Sequence, residues 1–376
     1  MKHSRRDFFK KGATALAALS VASSGSLKLF SKKPEKASKS LSILILGGTA
    51  FTGPHQIKYA IDRGHKVSIF TRGKTKPTLN KEYFKKVEHL IGDRNNDLNA
   101  IKGKKWDAVI DNSATYPRWV KQSTDILKDN ASTYLFTSSL SVHADFSVKG
   151  ITENHPIATI DDPTIEDMSA YGPLKALSEK VALKAFKDRA IIVRPHLIVG
   201  PGDRTDRWTY WPVRINRGGE VLAPGDPSQP AQYIDARDLS EFDIHLIENN
   251  LYGTYTAVGP LGNLTMSEML YGIKAVVSNK VSFEWVDQNF ILDNNIKPWT
   301  EMTAWMPSGG EFDGFCSFEN SNAVKAGIIY RPLAVTARDT LKWWQTLPEE
   351  RTREPKAGLS ITKEKKVLKK WKSKIK

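Results

Sequence analysis

Three stretches of the chain carry residue types at spacings that chemistry requires. The first is Ala170-Tyr171-Gly172-Pro173-Leu174-Lys175, a Tyr-x-x-x-Lys pair near the start of a segment that reads as a long helix. A spacing of four puts both side chains on one helix face. An ammonium close to a phenol favours the phenolate and lowers its pKa. Such a tyrosine takes or gives the proton of a carbinol while hydride moves to or from a nicotinamide. The second stretch, Tyr134 to Val142, begins as a strand and ends in the hydroxyls of Thr137, Ser138, Ser139 and Ser141. Ser139 is the first candidate to hydrogen-bond the reacting oxygen, with Ser138 and Ser141 behind it. Turn and cap chemistry is the competing use of such serines.

The third stretch is Gly47-Gly48-Thr49-Ala50-Phe51-Thr52-Gly53. Gly48-x-Ala50-x-x-Gly53 fits the dinucleotide fingerprint with alanine at the middle position. The first glycine permits a tight turn, the last lets a helix pack close to a strand, and the helix N-terminus offers N–H groups to a pyrophosphate. Gly47, Gly48, Ala50, Phe51 and Gly53 are therefore candidate cofactor-binding residues. Strand two ends in Phe70-Thr71-Arg72. An acidic residue there would hold the ribose of NAD; Arg72 suits a 2′-phosphate, so NADP is favoured over NAD. Asp93, after strand three, falls where such folds touch the adenine. Asp111 and Asn112, after strand four, fall beside the cofactor ribose or phosphates, or serve as turn residues.

The elements that must position these groups alternate between strand and helix. Residues 41–46, 66–70, 87–91, 107–110, 132–137 and 190–195 read as strands. Helices are expected from Gly53-Pro54 to Arg63-Gly64, around 118–128, and over 167–187, with another opening at Asp235-Ala236-Arg237-Asp238. This alternation predicts a Rossmann-type doubly wound parallel α/β sheet whose carboxyl edge gathers the three stretches.

The ordered set of glycine turn, serine strand end, Tyr171-x-x-x-Lys175-x-x-x-Glu179, Arg194-Pro195 and Gly200-Pro201 resembles the extended short-chain dehydrogenase/reductase superfamily, specifically its NAD-dependent epimerase/dehydratase family. Gly47-x-x-Ala50-x-x-Gly53 fits the spacing of that superfamily. The resemblance runs from about Leu41 to Trp344. It implies a Rossmann domain (41–200) and a smaller, mainly C-terminal substrate lobe (201–350). It also implies a Ser139, Tyr171, Lys175 triad in which Lys175 holds the nicotinamide ribose as well. The arginine that grips the diphosphate of nucleotide-sugars in the family is missing from Pro230-Ala231-Gln232-Tyr233-Ile234-Asp235. His196 stands where a small residue usually follows Arg-Pro. With Arg207, Trp208, Tyr210 and Trp211 it is a candidate to line the substrate pocket, although these aromatics suit a lobe core equally.

The 376-residue chain is globular in composition, with 40% hydrophobic and 26% charged residues, and carries a formal charge of +15. That charge sits at the ends. Residues 1–40 hold ten Lys/Arg against two Asp/Glu, and residues 351–376 hold eleven against two, which leaves −2 for the body. A basic groove for nucleic acid through the core is not supported. Ser4-Arg5-Arg6-Asp7-Phe8-Phe9-Lys10, followed by a small-residue apolar run to about Ala22, resembles a twin-arginine export signal, with a linker to residue 40. The basic tail, 351–376, places Val367, Leu368, Trp371 and Ile375 on one helical face, which either docks on the body or lies on an anionic membrane surface. The lone Cys316 has no evident activating partner, and the histidines show no metal-ligand spacing.

Together these features predict an exported enzyme of the periplasm or cell envelope, sent out by the twin-arginine machinery. It acts on a carbohydrate-like hydroxyl or ketone with a tightly bound, internally recycled NAD(P), because free dinucleotide is scarce outside the cytoplasm. The alternatives are an NADPH-dependent alcohol or ketone reductase and an RNA-binding protein of the same fold.

Overall fold

The computed structural model describes residues 33–375 apart from 113 and 261. The twin-arginine stretch and the apolar run after it lie outside the described residues.

Apolar runs with β-branched residues form the strands, and their alternation divides the side chains between two faces. The strands are β1 (Ser42–Leu46), β2 (Lys66–Thr71), β3 (Glu88–Ile91), β4 (Trp106–Asp111), β5 (Ala131–Thr137), β6 (Ala190–Pro195), β7 (Ile198–Val199), β8 (Gly219–Pro224), β9 (Ile234–Asp235), β10 (Gly253–Ala257) and β11 (Val281–Val286). Seven of them form one sheet in the order β10-β6-β5-β4-β1-β2-β3, parallel throughout. Ile43 and Ile45 face a core completed by α1 (Thr52–Arg63) and α5 (Ala236–Glu248). Leu44 and Leu46 face the opposite core, completed by α2 (Pro117–Leu127) and α3 (Tyr171–Phe186). Parallel strands with helices on both faces make this the Rossmann-like fold expected.

The chain's path differs from a boundary at residue 200. After β6 it leaves the sheet, builds part of a second core, and returns through α5 and β10 before finishing that core. The reason is the crossover rule: adding β10 parallel to β6 requires a helix between them, and α5 is that helix.

The second core gathers α4 (Tyr210–Asn216), α6 (Met266–Lys274), α7 (Leu333–Gln345), α8 (Ile361–Lys374) and the paired strands β8 and β11. Ser360 caps α8 by accepting from the Lys363 N–H. Val367 and Leu368 are buried against the core, each burial contributing roughly 2 kcal/mol. Glu364, 2% exposed, accepts from Arg214 at 2.6 Å and from the Leu222 N–H at 3.0 Å. Val367, Leu368 and the half-buried Trp371 thus dock the tail on the body, whereas Ile375 is exposed and Lys365, Lys366, Lys369 and Lys370 stay in solvent. No described helix is long and apolar enough to cross a membrane.

Removing one partner of a buried ion pair leaves the other charged and unsatisfied. Glu364→Ala is therefore expected to destabilise the chain by about 3 kcal/mol, read by denaturant unfolding.

Candidate functional site

The turn after β1 is set by two backbone requirements. Gly47 and Gly48 have φ of 103° and 98°, which disfavour a side chain. A Cβ on Gly53 would lie 2.3 Å from the Gly48 Cα and carbonyl oxygen, so α1 packs on the turn only because residue 53 is glycine. Gly47 N–H donates to the Phe70 carbonyl at 2.9 Å, which aligns the ends of β1 and β2. Beside the turn opens a cavity of about 600 Å³. Its walls include Gly47, Gly48, Ala50 and Phe51 from the turn, together with Arg72, Asp93 and Asn112. Ala50 is exposed on the wall, and Gly53 sits behind it as a packing residue.

The wall also contains residues that the sequence reading missed: Lys74, Arg94, Trp119 and Arg204. Lys74 follows Arg72 after one glycine and was legible in the same loop. Arg204 arrives from beyond β7, three residues before Arg207. Asp111 does not face a ligand. It is fully buried, held by Arg94 at 2.6 and 2.8 Å and by the Tyr134 hydroxyl at 2.6 Å. Exposed Arg72, Lys74 and Arg204, a glycine turn with no room for a Cβ, and the start of α1 fit a phosphate-bearing dinucleotide.

The second site element is the approach of α3 to the end of β5. Ser139 caps a short turn, Leu140–Val142; its Oγ accepts from the Ser141 N–H and donates to the Ser141 Oγ, both at 3.1 Å. A Cβ on Gly172 would fall 2.2 Å from the Ser141 carbonyl oxygen. Gly172 therefore lets the first turn of α3 close on the serine turn and brings the Tyr171 phenol to Ser139. Ser138 is buried, and its hydroxyl has no partner among the described residues.

Lys175, 3% exposed, donates to the Thr137 carbonyl at 2.6 Å and to the Ala114 carbonyl at 3.0 Å, with its Nζ 4.1 Å from the Phe136 ring centroid. Burial pulls this amine down to about 7 against the opposing pull of Asp111 and Glu179. The expected lowering of the phenol by Lys175 is not what the structure gives. Burial raises the Tyr171 pKa, opposed by the neighbouring Ser139 hydroxyl and by the charge of Arg207. A shared helix face does not guarantee a shared reach, and the ammonium is drawn to the sheet's carbonyls. Glu179 is an anchor: it accepts from Arg194 at 2.9 and 2.7 Å and so ties α3 to β6.

Of the five proposed substrate residues, Arg207 bears on the phenol, and His196 shares with it the ring of Trp299. Arg207 is half-buried, its guanidinium 5.5 Å from the Trp299 ring centroid and its Nε 3.3 Å from the Thr205 hydroxyl. Among the described residues no carboxylate lies within ion-pair distance of it. His196 packs edge-on to Trp299 and Phe315; its Nε2 donates to the Phe315 carbonyl at 2.8 Å, and burial pushes the imidazole down to about 4, so it is neutral. The other three are corrected to core. Trp208 and Trp211 are fully buried, Tyr210 nearly so, and Trp211 Nε1 donates to the Thr303 carbonyl at 2.9 Å. Segments some ninety or more residues downstream cover them, which local sequence does not reveal. Trp299, packed on the second core, is the ring beside Arg207. Cys316 is buried with its thiol pushed up to about 12, which leaves it unreactive.

The family model for the NAD dependent epimerase/dehydratase family matches residues 43–257. Among curated proteins, the chain is 24% identical over 228 residues to the chloroplast stem-loop binding protein of 41 kDa b of Arabidopsis thaliana, covering 57% of each chain. The match thus spans little more than half of that relative. Among solved structures, the UDP-Glc/GlcNAc 4-epimerase of Campylobacter jejuni superposes with a TM-score of 0.61 at 15% identity, covering 82% of this chain and 100% of the other. The UDP-glucose 4-epimerase of Bifidobacterium longum, solved with NAD+ and UDP, gives 0.56 at 16% identity, with coverage of 82% and 100%. Likeness at this identity shows the fold.

The two glycine contacts separate experimentally. Gly53→Ala is expected to open the turn and abolish dinucleotide binding by calorimetry. Gly172→Ala is expected to retain that binding while displacing Tyr171. Each overpacking costs roughly 1–3 kcal/mol in unfolding experiments.

Proposed function

Because the chain belongs to the NAD dependent epimerase/dehydratase family, we propose that it is an NAD(P)-dependent enzyme of that type, acting on a carbohydrate-like hydroxyl or ketone and restoring its cofactor within each turnover. The observation that carries this reading is the Gly172 contact, which sets the Tyr171 phenol beside Ser139 at the end of β5, on the same carboxyl edge of the sheet as the glycine turn after β1. Asn112 and Lys175 would hold the cofactor ribose, and Arg72, Lys74 and Arg204 its phosphates, with Arg72 favouring NADP. The nicotinamide, when bound, supplies the hydride chemistry. Ser139 holds the reacting oxygen of the substrate. Tyr171 moves the proton at that same oxygen, taking it where a hydroxyl is oxidised and returning it where a ketone is reduced; burial favours the protonated phenol in the ligand-free site, and Arg207 favours the phenolate that takes the proton. Trp299 offers a ring face to a sugar, and neutral His196 stiffens that wall.

The N-terminal signal extends this reading. An enzyme exported through the twin-arginine machinery leaves folded with its dinucleotide in place and works in the periplasm or cell envelope. Internal recycling, as in epimerisation, fits a compartment poor in free cofactor, whereas a net alcohol or ketone reduction would need resupply. RNA binding is the second reading. It is favoured by the stem-loop binding relative and by the exposed lysines of α8. The near-neutral body and the Ser139, Tyr171, Lys175 set weigh against it.

Mass spectrometry of small molecules released from the purified native protein is expected to find NADP or NAD at near one per chain. Tyr171→Phe should keep that cofactor and lose about a thousandfold in turnover. Protein that carries no dinucleotide, and whose salt-sensitive RNA binding disappears when Lys365, Lys366, Lys369 and Lys370 are neutralised, would replace the enzyme with the RNA-binding reading.

A further inference from the structure

Asp243 lies on the face of α5 that packs against α1 and is completely buried. Its Oδ2 accepts one hydrogen bond, from Gln56 Nε2 at 2.7 Å, and its Oδ1 has no partner among the described residues. Burial lifts this carboxyl to about 7, opposed only by the Gln56 hydrogen bond. The charged groups of the two helices are engaged elsewhere. On α5, Asp238 and Glu241 pair with Arg331, and Glu248 pairs with Arg63 and His65. On α1, Lys58 pairs with Asp62, and His55 donates to the Pro201 carbonyl. A buried acid with an empty acceptor and no ion pair is destabilising, and an aliphatic residue would pack there without that cost. Stability does not account for Asp243.

What it touches does. Gln56 is also fully buried and joins Asp243 to the cavity wall. Gln56 Oε1 accepts from Asn112 Nδ2 at 2.6 Å, and Gln56 Nε2 also donates to Asn112 Oδ1 at 3.2 Å. Asn112 Oδ1 further accepts from the Thr137 hydroxyl at 2.9 Å, and the Thr137 carbonyl accepts from Lys175 at 2.6 Å. The order of donors is dictated from the buried end. A carboxyl oxygen that accepts obliges Gln56 to turn its amide nitrogen toward α5 and its oxygen toward Asn112. Asn112 must then give one N–H to Gln56 and receive at its oxygen, which leaves its second N–H for the cavity it lines. The series crosses the carboxyl ends of β4 and β5 from one helix layer to the other.

We propose that Asp243 is a positioning residue of the cofactor site: acting through Gln56, it fixes the Asn112 amide with one N–H left for the dinucleotide and thereby sets dinucleotide affinity. The inference rests on the dinucleotide reading of the cavity.

The test is calorimetric titration of the full chain with NAD+ and with NADP+, alongside thermal melts at pH 8. A carboxyl raised to about 7 stabilises the fold fully below its unfolded pKa near 4, and that contribution is lost as pH rises through 7. Asp243→Leu is therefore expected to melt above the wild type at pH 8, yet to bind the dinucleotide about tenfold more weakly. Asp243→Asn keeps an accepting oxygen and is expected to bind within about twofold of wild type. Asp243→Leu added to Asn112→Ala is expected to weaken binding no further. A merely structural role would make affinity follow melting temperature, and that outcome overturns the proposal. So does Asp243→Leu binding as tightly as wild type. Should that variant fail to fold, Gln56→Leu breaks the same series, and unchanged affinity there is equally fatal. A wild-type chain that binds neither dinucleotide removes the cofactor reading itself, and this inference with it.

Discussion

An ammonium buried without a carboxylate in contact must be held by something else, and in this chain it is held by the ends of two strands. Lys175 hangs from the Thr137 carbonyl, at the last residue of β5, and from the Ala114 carbonyl, just beyond β4. Those carbonyls stand side by side only because β4 and β5 are parallel neighbours that end together. Lys175 reaches them only because α3 is fixed at both ends of the site. The Gly172 contact with Ser141 sets its first turn, and the Glu179–Arg194 pair ties its second half to β6. Residues 131–195 therefore act as one positional unit. Loosening any of these contacts leaves a desolvated amine without acceptors, a more costly state than a lost surface hydrogen bond.

The parts of this arrangement that were readable in the sequence are those whose cause is local. The glycine turn, the strand ends and the Tyr171-Lys175 spacing each need only a few consecutive residues to be recognised, and the elements around them follow the alternation of apolar runs. What local pattern did not carry is reach. The spacing of Tyr171 and Lys175 gives a common face, but which partner the ammonium finds depends on where β4 and β5 end. The run from Arg207 to Trp211 looks uniform as a string. In the fold Arg207 stays half-buried beside Trp299, while Trp208, Tyr210 and Trp211 enter the second core, because α7, α8 and the loop near Thr303 close over them. Asp243 gave no signal at all. In the sequence it is one more acid in an amphipathic helix, and its isolation from other charges exists only after α5 lies against α1.

The distribution of charge follows from the same division between inside and outside. The body is close to neutral in composition, and several of its buried ions are paired, as in Arg94 with Asp111, Arg194 with Glu179 and Arg214 with Glu364. The tail adds net positive charge without disturbing that balance. Its one buried acid, Glu364, answers a buried arginine, and its lysines fall on the face that the core does not cover. High pI in this chain is a property of its ends and carries no information about the cleft.

The cleft has its own electrostatic logic. The cation that bears on the Tyr171 phenol is Arg207, contributed from beyond β7, whereas the ammonium on the phenol's own helix is committed to the sheet. Arg207 makes no ion pair with any described residue, so its charge is compensated only partly, by Asp203 and by the face of Trp299. Any anionic group that settles against Arg207 must weaken the pull of that charge on the phenol, and a phenol that ionises must strengthen the hold on Arg207, because the coupling is reciprocal. Occupancy of the lobe and the proton affinity of Tyr171 are therefore one linked equilibrium. By placing Arg207, the second core takes part in setting the proton affinity of Tyr171.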